Sequence, residues 1–279
     1  MRRLSLRYIA GETLELALAR LEKLAQEGHP GILDILGEEI DSEAGAREVA
    51  AQYCAAATAI AERKLDAYIS IKPTHVGLSK SEDLCFELYS TVAKHCEELG
   101  LFLRVEMEDH TTTDATLRVF ERLRLEFTAI GCVLQSRLFR TANDIASLKP
   151  GLLNVRLVKG IYLEPPAIAH TSSNAIRQAF LEHSAQLLER GAHVSFATHD
   201  ETAADSIASL VQDKELNSDS YEFQVLLGVQ KPLWTKLKRQ GHSVRVYVPY
   251  GPDWRAYSTR RLIKNPEIVK HVFRNMFRS

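Results

Sequence analysis

Two adjacent arginines, Arg260 and Arg261, stand in the segment RVYVPYGPDWRAYSTRRLIKNPE, residues 245–267. The segment predicts a strand ending near Pro249, a Gly-Pro-Asp turn at 251–253 and a helix starting around Trp254. Consecutive helical residues point about 100° apart, so both guanidiniums border one pocket only at the flank of that helix. Two such planar donor forks suit a small carboxylate; taken alone, the pair reads more readily as a solvated basic face. Other polar residues recur where apolar runs end: Lys72, Glu106, Gln135, Lys159, Thr198, His199, Gln224 and Tyr247. The run Glu106, Glu108, Asp109 and His110 has metal-ligand residue types. Glu106 and Glu108 share a strand face, but Asp109 and His110 diverge around a loop, and no metal site is expected. No GxSxG nucleophile elbow, GxGxxG fingerprint or Walker loop occurs in the chain, which excludes the simplest hydrolase, Rossmann and P-loop readings.

These residues need a frame. Strand-like runs occur at Gly31–Gly37, Ala67–Lys72, Phe102–Glu108, Ile130–Gln135, Asn154–Lys159, His193–His199, Tyr221–Leu227 and Ser243–Pro249. Helical patterns lie between them, at Ser81–Leu99, Ala115–Leu123, Ser173–Arg190 and Thr202–Leu210, with Asp114 and Asp200 as expected caps of the second and fourth. Alternating strands and helices imply a parallel sheet. Eight repeats in about 250 residues fit a closed barrel better than an open sheet. The expected fold is therefore α/β, a single (β/α)8 barrel (TIM-barrel-like) over residues 1–279 as one domain. Ile268, Val269, Val272, Phe273, Met276 and Phe277 lie on one stripe of an amphipathic C-terminal helix at 266–279, which reads first as a helix packed on the barrel. In such a barrel the C-terminal ends of the strands line the active-site face. Arg156 and Lys159 are both read as inward-facing, needing anionic partners.

With 279 residues, 45% hydrophobic and 25% charged, the chain is globular rather than disordered or disulfide-scaffolded. Its net charge of −1 hides an asymmetry: residues 231–279 hold twelve Lys or Arg against two acids, leaving 23 basic and 34 acidic residues before them. That basic end suggests an anionic ligand or surface, and no nucleic-acid motif accompanies it. Cys54, Cys85, Cys96 and Cys132 form no CxxC pair. No apolar run reaches the ~20 residues of a membrane span, and no signal-peptide pattern opens the chain. A cytoplasmic protein is expected, with a tail able to touch anionic lipid at the inner face of the membrane.

Motif by motif, the chain resembles the flavin-dependent proline dehydrogenases. RVEMEDHTTTDATL (104–117) resembles the family's third-strand motif, VRLVKGIYLEP (155–165) its fifth, FATHD (196–200) its sixth and YEFQVLLGV (221–229) its seventh. VLQSRLFRTANDI (133–145), RYIAGETLELAL (7–18) and the paired-arginine segment follow the same order. The resemblance implies FAD in a (β/α)8 barrel and oxidation of L-proline to 1-pyrroline-5-carboxylate, with a quinone taking the electrons. It places Arg156 at flavin N5, and Gln135, Lys159, Gly160, Thr198, His199, Glu222 and Gln224 around the cofactor. It places Lys72, Glu106, Leu226, Tyr247, Arg260 and Arg261 around the substrate, with Glu38 pairing one of the two arginines. Glu106 stands where the family has the shorter Asp, beside the residues matched by Lys72 and Tyr247. Lys264 and Ile161 also depart from the pattern. Two other functions remain open on these residues: oxidation of another cyclic amino acid, such as hydroxyproline or a thiazolidine carboxylate, and a flavin-binding barrel without turnover.

Overall fold

The structure, a computed structural model, describes residues 8–37, 39–252 and 254. Glu38, Arg260, Arg261, Lys264 and the 266–279 tail lie outside the described residues. Eight parallel strands close into a barrel in sequence order. They are β1 (Gly31–Ile35), β2 (Ala67–Ile71), β3 (Leu103–Val105), β4 (Ile130–Gln135), β5 (Asn154–Val158), β6 (His193–Ala197), β7 (Tyr221–Leu226) and β8 (Val244–Tyr250). Helix α1 (Leu14–Gln26) precedes β1. The crossovers carry α2 (Glu43–Glu62), α3 (Glu82–Glu98), α4 (Thr113–Leu123), α5 (Thr141–Ser147), α6 (Ser173–Glu189), α7 (Glu201–Asp213) and α8 (Lys231–Arg239).

The strands alternate in a way that splits the interior. Outward residues such as Leu33, Ile69, Leu103, Cys132, Leu157, Phe196, Phe223 and Val246 join Leu21, Tyr53, Leu88, Phe120, Phe180 and Ile207 of the helices in one apolar sheath. Each large apolar side chain buried there contributes roughly 1.5–3 kcal/mol. The lumen is different. Tyr68 lies level with Ile32, Ser70 with Arg104, and Arg156 with Ser195, which in turn lies level with Glu222; Gln224 is level with Arg245 and Leu226 with Tyr247. Paired residues in a parallel sheet face the same side, so the barrel is filled largely by polar and charged groups.

All eight expected strands form; six of them end one to three residues sooner than expected, two for visible reasons. β2 ends at Ile71 because Pro73, which has no N–H to give the ladder, opens a 3₁₀ turn over Pro73–Val76. β3 ends at Val105 rather than Glu108. Glu106 N still donates to Ile71 O at 2.9 Å, but the Glu108 carboxylate turns back to Thr74 N and Oγ1, at 2.9 and 2.8 Å. Asp200 caps α7 as expected, accepting from Thr202 N and Ala203 N. Asp114 does not cap α4. That helix starts at Thr113, behind Asp109, whose carbonyl accepts from the Thr112 and Thr113 hydroxyls. Asp114 therefore sits within the first turn, facing Arg140 at 2.5 Å.

Candidate active site

At the C-terminal mouth two ion pairs cross between strands. Lys72 Nζ, just past β2, meets both Asp34 oxygens of β1 at 2.8 and 2.9 Å. Asp34 is fully buried, and burial pushes its carboxyl above the usual range against the opposing pull of Lys72. Arg156 of β5 meets Glu106 at 2.5 Å. The same Glu106 Oε1 accepts from Ser70 Oγ at 2.5 Å and from the Tyr247 hydroxyl at 3.1 Å. Burial works against the Glu106 carboxylate, but Arg156, Lys72 and Ser70 together outweigh it and hold its pKa below the ordinary value. The Arg156 guanidinium also lies over the Tyr247 ring, 5.3 Å from its centroid. A buried cation is tolerable only with such partners, and Arg156 is 3% exposed.

Beneath this layer Gln224 Oε1 accepts from Arg156 Nε at 2.6 Å, and its Nε2 donates to Tyr68 Oη at 2.8 Å and to Glu222 Oε1 at 2.5 Å. Glu222 also takes Arg245 Nε at 2.8 Å. Glu222 and Gln224 thus lie deeper in the lumen than Lys72 and Tyr247.

Toward the β4–β6 side the mouth has a second group of polar residues. Gln135 Nε2 donates to Glu108 O at 2.5 Å. Lys159 does not share the inward face of Arg156. Three residues apart on an extended chain means opposite parity, and Lys159 follows the end of β5, where its Nζ reaches Asp200 at 2.6 Å. The anionic partners expected from a bound diphosphate are supplied by the protein: Glu106 for Arg156 and Asp200 for Lys159. Thr198 Oγ1 accepts from Asp200 N at 3.1 Å, and His199 Nε2 accepts from Leu226 N at 2.8 Å. The acidic run after β3 disperses, Glu108 to Thr74 and His110 Nδ1 to Glu164 Oε2 at 2.5 Å.

Lys72, Glu106, Arg156, Gln224 and Tyr247 are therefore brought into one connected cluster, with Glu222 at its base. Leu226 pairs with Tyr247 across β7 and β8. Gln135, Lys159, Gly160, Thr198 and His199 form a separate arc on the neighbouring strand ends. Asp34, Tyr68 and Ser70 were missed. Asp34 had a signal, a lone acid inside the apolar run GILDILG; Ser70 and Tyr68 share strand parity with Lys72.

A family model described as proline dehydrogenase matches residues 17–273. The chain belongs to the proline dehydrogenase family. It is 38% identical over 277 residues to the proline dehydrogenase of Deinococcus radiodurans, covering 98% of this chain and 89% of that one. Proline dehydrogenase 1 of Bacillus subtilis strain 168 is 32% identical over 272 residues, covering 98% of this chain and 90% of that protein. The proline utilization A crystal structure from Bdellovibrio bacteriovorus, inactivated by N-propargylglycine, superposes with a TM-score of 0.88 at 23% identity. It covers 95% of this chain, which spans 33% of that structure, and the likeness at that identity concerns the fold. The closed eight-stranded parallel barrel thus agrees with that fold.

Proposed function

We propose that this chain binds FAD at the barrel mouth and oxidises L-proline to 1-pyrroline-5-carboxylate, using the Lys72, Glu106, Arg156 and Tyr247 cluster. Membership of the family makes it a flavin-dependent oxidoreductase of proline catabolism. The observation that carries the site assignment is the Arg156 guanidinium, fixed in the lumen by Glu106 and Gln224 at 2.5 and 2.6 Å.

The residues present suit a flavin nucleotide. Ser136 Oγ and Arg137 Nε are buried without a hydrogen-bond partner among the described residues, beside Gln135 at the end of β4. Gly160 takes φ +96, and a Cβ there would come within 3.0 Å of Gln135 Oε1 and Arg137 Cγ, so a side chain at 160 would fill the space next to both. Gln135, Arg137, Lys159, Gly160, Thr198 and His199 are the residues that would hold the cofactor, Arg137 and Lys159 contributing charge toward its diphosphate. When bound, the flavin supplies the acceptor for hydride from the proline carbon next to nitrogen.

This chain's residues supply binding and orientation. Arg260 and Arg261, with Glu38 pairing one of them, take the substrate carboxylate by the family pattern. Lys72 is held by Asp34 beside the ring, and Tyr247 and Leu226 provide the wall it packs on. Arg156 offers a fixed positive charge where negative charge accumulates as hydride leaves the substrate. The ring nitrogen enters the reaction neutral, so oxidation gives up one hydride and one proton and leaves a C=N bond. Among the described residues no helix is long and apolar enough to cross a membrane. A quinone is proposed as the electron acceptor, and the basic, apolar-striped 266–279 segment as a salt-sensitive contact with anionic lipid.

The visible spectrum tests the reading. Purified protein should be yellow, with a flavin that anaerobic L-proline bleaches. Colourless protein that takes up neither FAD nor FMN would sink it. Co-sedimentation with anionic vesicles should fall with added salt and with removal of 266–279, melting temperature being held as the control for folding.

A further inference from the structure

Gln224 sits between two groups that can each play only one hydrogen-bonding role. Arg156 Nε is a donor and nothing else, so the atom 2.6 Å from it must be the amide oxygen. The Glu222 carboxylate, held ionised against its burial chiefly by Arg245, is an acceptor, so the atom 2.5 Å from it must be the amide nitrogen. The second amide hydrogen goes to Tyr68 Oη at 2.8 Å, and Arg156 NH2 donates to that same oxygen at 3.2 Å. The amide cannot flip without setting donor against donor at one end and acceptor against acceptor at the other. Glu222 is in turn fixed by Arg245 Nε at 2.8 Å and Ser195 Oγ at 3.3 Å, and Arg245 is anchored at the barrel floor by Asp66 at 3.0 Å.

We propose that Gln224 is a positioning residue, which transmits the fixed geometry of the Arg245–Glu222 pair to the Arg156 guanidinium and sets the angle at which it faces the cofactor. The role rests on the reading that Arg156 faces the flavin. Glu106 neutralises Arg156 from above, and Gln224 orients it from below. Charge and orientation are therefore supplied by different residues on different strands.

The test uses flavin-saturated holoenzyme and compares Gln224→Met, Tyr68→Phe and Arg156→Met with the parent. Methionine matches the length of glutamine and removes both hydrogen-bonding ends. A cation that drifts from its angle loses stabilisation of charge in the transition state more than it loses ground-state binding. Gln224→Met should therefore lower kcat about tenfold, leave the proline KM within roughly twofold, and move the flavin reduction potential to a more negative value. Tyr68→Phe, which removes one acceptor shared by Gln224 and Arg156, should shift the same readouts less and decides the matter if Gln224→Met fails to fold. Parental kcat and potential in a folded Gln224→Met, or in Tyr68→Phe where the first does not fold, would overturn the proposal. If Arg156→Met also left the potential unchanged, it is the placement of Arg156 at the flavin that would fail. A shifted potential in Arg156→Met with none in Gln224→Met would remove only the role of Gln224.

Discussion

Glu106, just past the end of β3, and Arg156 of β5 pair across the lumen with Oε1 and NH1 2.5 Å apart, although β4 separates their strands in the sheet. One oxygen of this glutamate serves Arg156, Ser70 and Tyr247 together. Removing the carboxylate leaves a buried guanidinium facing a gap, which costs about 3–5 kcal/mol. Glu106→Ala should lose about that much in urea unfolding and turn over proline poorly. Lys72 keeps Asp34 in that variant, so the damage centres on Arg156 rather than on the lysine. Glu106→Asp, which keeps the charge and withdraws it by one methylene, should lose less on both counts. An alanine variant as stable as the parent would show that the pair contributes nothing net.

The paired arginines are the expected carboxylate clamp. Arg260→Met or Arg261→Met should raise the proline KM roughly 30- to 1000-fold, corresponding to about 2–4 kcal/mol for a lost charged partner, with flavin content unchanged. Steady-state kinetics with both variants checks this, and an unaltered KM in both would place the carboxylate elsewhere.

Asp200 serves three neighbours at once. It caps α7, pairs Lys159 at 2.6 Å and takes Arg177 Nε at 2.8 Å. Those two cations hold its carboxyl below the usual range despite burial. Asp200→Ala should cost about 1–2 kcal/mol through the lost cap alone, and should release Lys159 from its present direction. Lower flavin occupancy after gel filtration, with a fall in melting temperature, is the expected pair of readouts. A variant that melts lower but retains flavin fully would confine Asp200 to the helix.

Acid sensitivity should come from a buried histidine. His75, in the turn after Lys72, packs edge-on to Tyr53 and lies in hydrogen-bond contact with its hydroxyl at 3.4 Å. Burial, and secondarily Lys72, push its pKa down from 6.5 to about 3. The folded protein therefore keeps the ring neutral while the unfolded chain protonates it, so this stability is complete above pH 6.5 and drains away as pH falls toward 3. Between pH 7 and pH 5 the loss is about 2 kcal/mol. Denaturant unfolding at those two pH values should show it, and His75→Gln should flatten the difference. Equal slopes in parent and variant would assign the effect to other groups.

The barrel was legible because parallel strands buried on both sides leave apolar runs at regular intervals, and all eight were visible. The lumen was legible only in part. Its residues alternate with sheath residues along VRLVK, YEFQVL and VRVYVP, so a strand rich in valine and leucine also carries one polar face. Arg156, Glu106 and Tyr247 were readable as mouth residues, but which acid neutralises which cation depends on where the closed barrel brings distant strands together. Lys72 does act on Glu106, as its placement implied, but its bond to Asp34 was not foreseen. Lys159 was placed with Arg156 and belongs to the helix end beyond β6. Asp114 had the right residue type for a cap, and a three-residue threonine run moved the helix start past it.

A polar lumen wrapped in an apolar sheath also polices strand alignment. Sliding β7 by one residue would thrust Glu222 and Gln224 among the helices and turn Phe223 and Val225 toward Arg156, because side chains alternate with a period of two. The same slip would part Glu222 from Arg245 and Gln224 from Arg156. The residues that prepare the mouth for chemistry are thus the ones that tell the barrel when it is correctly closed, and substitutions that retune the reaction draw on the same interactions that keep the strands in step.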